Sequence, residues 1–122
     1  MEKKLILLVE NNKKVQKFNK RMLERDDFAV ETAMTLADAR SFLARQNPNA
    51  IILDISMPDG SGLDFLRELR QTSKIPVLLL SGYRMDSNFN IEAACDCDGY
   101  LAKPYEFGVL LDRLKLLLKK AK

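Results

Sequence analysis

The sequence predicts a single α/β domain with a doubly wound parallel sheet and helices on both of its faces. Short apolar runs alternate along the chain with longer segments in which apolar residues recur at helical spacing. Strands that are apolar throughout are typical of parallel sheets buried on both faces. With 122 residues, of which 47% are hydrophobic, the chain can bury one core without metals or disulfides, so residues 1–122 are expected to form one domain.

Five short runs are the predicted strands. All but the second are almost entirely apolar, and the fifth is the shortest. Polar or turn-forming residues follow most of them, which limits their length. In chain order they are LILLV at 5–9, AVETA at 29–33, AIILD at 50–54, VLLLS at 77–81 and YLA at 100–102.

The segments between and after the strands have helical periodicity. In the first, Val15, Phe18 and Met22 are spaced as one apolar face, and the helix is expected to end near RDDF. The second opens at Thr35, which with Asp38 resembles a capping box. The second to last helices are predicted over residues 36–46, over 63–70, more weakly around 89–95, and from 107 onward, where the apolar spacing is clearest.

Composition excludes several classes of function. No apolar stretch approaches the roughly 20 residues that span a bilayer, and the run after the charged start MEKK is too short for a secretory signal, so a cytoplasmic protein is expected. Lys and Arg exceed Asp and Glu by only 20 to 17 and are spread along the chain, which does not favour nucleic-acid binding. Cys95 and Cys97 are too close together for an ordinary disulfide. The chain has no histidine, so any histidine chemistry must come from a partner.

Polar residues occur where four of the predicted strands end. Glu10 and Asn11 follow the first strand, Asp54 ends the third, Ser81 ends the fourth, and Lys103 follows the fifth. Doubly wound sheets bind their ligands outside the carboxyl ends of the strands, where the strand order reverses. These side chains are therefore expected to share one pocket.

The predicted pocket suits phosphoryl chemistry. Carboxylate and amide oxygens are ligands that Mg²⁺ prefers. A metal ion and a lysine would neutralise phosphoryl oxygens, and a serine hydroxyl would donate a hydrogen bond to one of them. An aspartate in that field, here Asp54, can be the nucleophile that becomes an aspartyl phosphate.

The sequence resembles the receiver domains of two-component response regulators, the CheY-like family, over essentially its whole length. The segment LDISMPDGSG matches the family's phosphoacceptor loop, D-x-x-M-P-x-x-x-G, which begins at Asp54. LLLSG supplies the hydroxyl residue Ser81, and DGYLAKP matches the segment with the family lysine, Lys103, and a switch aromatic, Tyr100. The resemblance implies a flavodoxin-like sheet with strand order 2-1-3-4-5.

By this resemblance, Asp54 would accept a phosphoryl group from a histidine of a partner kinase or phosphotransfer protein, and Lys103 and Ser81 would contact that group. Such a domain promotes its own phosphorylation and dephosphorylation and is not otherwise an enzyme. The residues implied to bind Mg²⁺ are Glu10, Asn11, Asp54 and, through its backbone carbonyl, Ser56.

The resemblance also implies a conformational switch. Phosphorylation would move Ser81 toward the phosphoryl group and draw Tyr100 inward. These movements would repack the face formed by the fourth helix, the fifth strand and the last helix. That face is the predicted surface for a homodimer or another partner.

One position departs from the family pattern. Receiver domains usually carry two acids after the first strand, and the second contacts the metal. Here the pair is Glu10 and Asn11, and an asparagine offers only a neutral carbonyl oxygen. Magnesium binding is therefore expected to be weakened or lost.

Two other functions remain open at this stage. A pseudo-receiver would keep the fold as an interaction surface without phosphorylation, which Asn11 favours. A phosphotransferring hydrolase of the haloacid dehalogenase type would need a second aspartate two residues after Asp54, where the chain has Ser56. Simpler readings also exist: Asp54 or one of Asn11 and Asn12 as a helix cap, and Tyr100 as a buried strand aromatic.

Overall fold

The computed structural model describes residues 3–81 and 98–120 of the chain. The predicted helix around residues 89–95, together with Cys95 and Cys97, lies outside the described residues. In chain order the elements are β1 Leu5–Val9, α1 Lys13–Arg25, β2 Ala29–Ala33, α2 Leu36–Leu43, β3 Ala50–Asp54, β4 Ser56–Met57, β5 Gly60–Ser61, α3 Gly62–Arg70, β6 Val77–Ser81, β7 Gly99–Ala102 and α4 Phe107–Lys120.

The five longer strands form one parallel sheet in the order β2-β1-β3-β6-β7. This is the predicted order 2-1-3-4-5, counted along the chain. The order reverses between β1 and β3, and their register places Val9 beside Leu53. On the other side of β3, Asp54 lies beside Leu80. The carboxyl ends of the three central strands therefore lie level with one another.

The sheet has a buried core on each face. Successive residues of β1 alternate between the two cores: Leu7 and Val9 pack with α2 and α3, whereas Ile6 and Leu8 pack with α1 and α4. All residues of β3 and β6 are buried as well. Full burial of each valine, leucine or isoleucine among them contributes about 1.5–3 kcal/mol, so the central strands are well anchored in the fold. The prediction of a doubly covered sheet is confirmed.

Helix α1 begins after Asn12 and buries a different face from the one expected. Asn12 is its N-cap, and the Asn12 side chain accepts hydrogen bonds from the backbone N–H groups of Lys14 and Val15. The buried residues are Asn19 and Leu23, whereas Phe18 is 54% exposed. The expectation that Phe18 belongs to the buried face is therefore wrong, because the helix is rotated toward Asn19.

Two details of the connections were not predicted. Helix α2 ends at Leu43, earlier than residue 46, and after it the backbone N–H groups of Arg45 and Gln46 share the carbonyl of Phe42 ahead of Pro48. The loop after β3 is not irregular but contains the short antiparallel hairpin β4–β5.

None of the helices in the described part of the chain has the length and apolar character that a membrane span requires.

The end of α1 is a Schellman motif. The backbone N–H of Phe28 donates to the carbonyl of Leu23, and that of Asp27 donates to Glu24. Leu23 and Phe28 also share one hydrophobic core, as the motif usually requires. The motif places Asp27 at a φ of 72°, in the left-handed region that glycine adopts without a steric penalty.

Replacing Asp27 with glycine is expected to stabilise the fold. A non-glycine residue in the left-handed region costs about 1–2 kcal/mol, and the greater freedom of glycine in the unfolded chain offsets roughly half of this, so the net gain should be about 0.5–1 kcal/mol. Urea unfolding measures the change. Asp26→Gly is the matched control, because Asp26 has a φ of −94° and should lose stability on the same substitution. Similar losses in both variants would contradict the prediction.

Candidate functional site

Three polar residues are buried at the carboxyl edge of the sheet, where the strand order reverses. Glu10, Asp54 and Ser81 lie at the ends of apolar strands. Although they are polar, they are only 1%, 3% and 4% exposed. They belong to or directly follow the three central strands β1, β3 and β6. The predicted meeting of these side chains at one edge therefore corresponds to their position in the structure.

Lys103 joins the two carboxylates. Its ammonium donates to Asp54 Oδ2 at 2.5 Å and to Glu10 Oε1 at 3.3 Å. Burial opposes the charge of this lysine, but the hydrogen bond and charge of Asp54, together with those of Glu10, outweigh burial and raise the pKa of Lys103. The pocket thus holds two buried carboxylates against one ammonium that is charged at neutral pH.

The other oxygen of each carboxylate is held by the backbone. Asp54 Oδ1 accepts from the N–H of Ser56 at 3.1 Å, and Glu10 Oε2 accepts from the N–H of Asn12 at 2.9 Å. On α1, Gln16 also donates to the backbone carbonyl of Glu10. Among the residues that the structure describes, no buried side-chain nitrogen or oxygen lacks a partner. Both carboxylates are therefore fixed in orientation before any ligand binds.

Backbone contacts bring the neighbouring loops up to these groups. The N–H of Lys103 donates to the carbonyl of Ser81 at 2.7 Å, which continues the pairing of β6 and β7 beyond the last strand residue. Gly62 lies so close to β3 that a Cβ atom there would be 2.4 Å from the carbonyl oxygen of Asp54. Only glycine allows α3 to begin this close to the buried aspartate.

The two asparagines after Glu10 have different positions. Asn12 is the cap of α1, so the simple reading as a helix cap applies to Asn12 and not to Asn11. Asn11 precedes the cap on the same edge of the sheet and is exposed. Its side chain is therefore accessible from solvent beside the buried Glu10.

Two other candidate residues are more exposed. Tyr100 lies on β7 with 37% of its surface exposed, so it is not the buried strand aromatic of the simpler reading. The backbone carbonyl of Tyr100 accepts from Arg113 of α4. Ser56 is exposed in the hairpin that follows Asp54.

A contact between Tyr105 and Asn19 beside the pocket was not predicted from the sequence. The hydroxyl of Tyr105, two residues after Lys103, accepts a hydrogen bond from the buried amide of Asn19 at 3.0 Å. Burial raises the pKa of Tyr105, although the bond from Asn19 and the charge of Lys103 oppose the rise. The only signal in the sequence was an aromatic residue directly after Lys103 and Pro104.

The donor set is compatible with a magnesium ion. The carboxylate oxygens of Glu10 and Asp54 both lie at Lys103, and oxygen ligands of this kind suit a hard cation that keeps several waters. Within residues 3–81 and 98–120, no cluster of three or more His, Cys, Asp or Glu residues is placed to hold a metal. A cation here would have fewer protein charges than a site with three carboxylates.

Comparisons with known proteins agree with the fold. The chain matches the response regulator receiver domain family over residues 6–115. It is 36% identical over 115 residues to the KDP operon transcriptional regulatory protein KdpE of Escherichia coli, which covers 94% of this chain and 51% of KdpE. It is 33% identical over 118 residues to the response regulator MprA of Mycobacterium leprae, which covers 96% of this chain and 52% of MprA. The chain therefore spans about half the length of these curated relatives.

Solved structures show the same architecture. The receiver domain of the Francisella response regulator 1452 superimposes with a TM-score of 0.88 at 29% identity, over 98% of this chain and 99% of that one. The response regulator TrrA of Thermotoga maritima, solved in complex with Mg²⁺ and BeF, gives a TM-score of 0.82 at 29% identity, over 93% of this chain and 98% of TrrA.

Receiver domains are signalling modules of two-component systems rather than classical enzymes. They generally bind Mg²⁺ and receive a phosphoryl group from histidine kinases. Because the family match covers most of the chain and solved receiver structures share its fold, the chain belongs to the response regulator receiver domain family.

Proposed function

We propose that the chain is a phosphorylation-switched signalling module in which Asp54 accepts a phosphoryl group from a histidine of a partner kinase or phosphotransfer protein. The observation that carries this proposal is the buried carboxylate of Asp54 with the ammonium of Lys103 in contact with one of its oxygens. A lysine placed there can neutralise the charge that develops on a transferring phosphoryl group. The chain belongs to the receiver family and has no histidine of its own. Both facts support transfer from a histidine of a partner to Asp54.

In the proposed step, a carboxylate oxygen of Asp54 attacks phosphorus. A P–O bond forms as the P–N bond to the partner's histidine breaks, and the electron pair of that bond stays on the imidazole nitrogen. Lys103 then moves from the carboxylate to the phosphoryl oxygens while its contact with Glu10 is retained. Ser81 supplies a hydroxyl donor from the end of β6.

Magnesium would be held by the carboxylates of Glu10 and Asp54, the amide oxygen of Asn11 and the backbone carbonyl of Ser56. The ion would supply positive charge to the phosphoryl oxygens. We expect binding to be weaker than in receiver domains with a third carboxylate, because a neutral amide at residue 11 lacks the charge of an aspartate.

The output surface is proposed to include β7, α4 and the segment around residues 89–95, of which the last lies outside the described residues. Tyr100, Val109 and Leu116 are the large hydrophobic residues exposed on β7 and α4. A surface cavity of about 740 Å³ is lined by residues that include Tyr100, Val109 and Arg113. Inward rotation of Tyr100 and movement of Ser81 on phosphorylation would change this surface, which suits a homodimer or another protein partner.

The second candidate function is a pseudo-receiver that binds partners without phosphorylation. The exposed Asn11, in place of an acid, favours it. In either case, we propose that residues 1–122 form one receiver domain that acts in the cytoplasm, without direct contact with nucleic acid or membrane.

Treatment with acetyl phosphate should add one phosphoryl group to the protein, and Asp54→Ala should abolish the addition because it removes the carboxylate that is proposed to attack phosphorus, whereas Glu10 remains. Intact mass spectrometry measures both. Asp112→Ala, which removes an exposed carboxylate on α4, is the control and should be phosphorylated normally. Labelling that persists in Asp54→Ala would contradict the assignment, and no labelling of the natural chain would favour the pseudo-receiver.

Asn11→Asp should bind Mg²⁺ more tightly. One added charge about 4 Å from the ion is worth roughly 4 kcal/mol at an effective dielectric near 20, before desolvation and repulsion from Glu10 and Asp54 are subtracted. A net gain of about 1–3 kcal/mol corresponds to on the order of tenfold to a hundredfold in affinity. Calorimetric titration with Mg²⁺ measures the change.

The same substitution should lower the melting temperature in chelator, because three carboxylates would then repel one another around Lys103. Asn12→Asp is the matched control: it adds the same charge one residue later but keeps a good helix cap, so its effect on Mg²⁺ affinity should be smaller. Unchanged affinity in Asn11→Asp would count against a metal site and for the pseudo-receiver.

A further inference from the structure

The tip of the β4–β5 hairpin is attached to the N-terminus of α2. Asp59 accepts a hydrogen bond at each of its carboxylate oxygens, from the N–H of Leu36 at 2.9 Å and from the N–H of Ala37 at 3.0 Å. These N–H groups have no partner within the helix, as is general for a first turn. Thr35 caps the same helix end through the N–H of Asp38. Helix α2 therefore has one cap from its own sequence and a second from the loop after the buried aspartate.

The hairpin also carries the backbone next to Asp54. Ser56 pairs with Ser61 and Met57 with Gly60, so Pro58 and Asp59 alone connect the two strands. The N–H of Ser56 donates to Asp54 Oδ1. A short hydrogen-bonded hairpin thus connects its tip, at α2, to a carboxylate oxygen in the pocket.

Three contacts hold this hairpin. At its base, the N–H of Gly62 donates to the carbonyl of Ile55 at 2.7 Å. In its middle, Met57 is buried in the same core as Leu36. At its tip, Asp59 accepts two hydrogen bonds from α2. Gly60, at a φ of 150°, lies so near Leu36 that a Cβ atom on it would be 3.3 Å from Leu36 Cδ1. Without the tip contact, the hairpin could pivot about its base and the methionine.

The charge of Asp59 suits this role. Hydrogen bonds from the N–H groups of Leu36 and Ala37, together with the nearby charge of Arg40, hold the pKa of Asp59 below its usual value. The carboxylate is therefore ionised at neutral pH and can accept both bonds at once. An asparagine has one acceptor oxygen and could keep only part of the contact.

We propose that Asp59 is a positioning residue: its carboxylate fixes the hairpin on α2 and thereby holds the backbone of Ser56 against the carboxylate of Asp54. The contact acts through two backbone N–H groups of α2, so it does not require Asp59 to touch a phosphoryl group or a metal. Its consequence for phosphorylation rests on the proposed function, whereas the backbone positioning does not.

Amide hydrogen exchange on the metal-free protein tests the positioning directly. In Asp59→Ala, the amides of Ser56 and Gly62 should exchange about tenfold faster, because the hairpin opens more often once its tip is released. Thr35→Ala is the matched control, since it removes a cap from the same helix end without touching the hairpin. It should speed exchange at Asp38 and leave Ser56 unchanged. Unchanged exchange at Ser56 in Asp59→Ala, or an equal increase in both variants, would overturn the proposal.

A second variant tests whether the exchange rate at Ser56 depends on the number of hydrogen bonds that residue 59 accepts. Asp59→Asn keeps one acceptor oxygen, so its exchange rate at Ser56 should fall between those of the natural chain and Asp59→Ala; a rate equal to that of Asp59→Ala despite the retained oxygen would overturn the two-bond account. Acetyl phosphate treatment of the same proteins separates the two proposals. If the natural chain is labelled, Asp59→Ala should be labelled several-fold more slowly while Thr35→Ala is not slowed. If exchange changes as expected but the natural chain takes no label, the positioning holds and the proposed function fails.

Discussion

The contact of Lys103 with Asp54 and Glu10 is the interaction on which the rest of the site depends. Burying two carboxylates side by side, at 1% and 3% exposure, is costly unless a cation pairs with them, and the lysine supplies that cation. The backbone N–H groups of Ser56 and Asn12 satisfy the remaining oxygens. A charged pocket can therefore exist inside an apolar sheet, with Asp54 still presented at the edge.

The surrounding structure serves to keep these charges in place. The level ends of β1, β3 and β6 follow from their register, and the register follows from side chains that alternate between two cores. Gly62 brings α3 against β3, and the bond from Lys103 to the carbonyl of Ser81 brings the last loop against β6. These contacts therefore either continue the hydrogen bonding of the sheet or pack the end of a helix against a strand.

Most of the strands were predictable because they are short apolar runs that polar residues interrupt, and four of the five have the predicted boundaries. The pocket residues Glu10, Asp54 and Lys103 were predictable for the same reason, since they are the polar residues at those ends. The buried face of α1 was not, because the helix buries Asn19, whose amide has a partner in Tyr105 that is distant in sequence. The Asp59 contact was also invisible, because it joins a turn to a helix end 23 residues earlier in the chain. Local spacing predicts elements well, whereas contacts between distant loops depend on how those elements finally pack.

The sequence separation of the pocket residues has a consequence for how the chain folds. Lys103 is 49 residues from Asp54 and 93 residues from Glu10, so the cation reaches the carboxylates only after β7 has joined the sheet. Closing such long loops is slow compared with forming helices or neighbouring strand pairs. Neutralisation of the pocket by Lys103 therefore depends on assembly of the whole sheet.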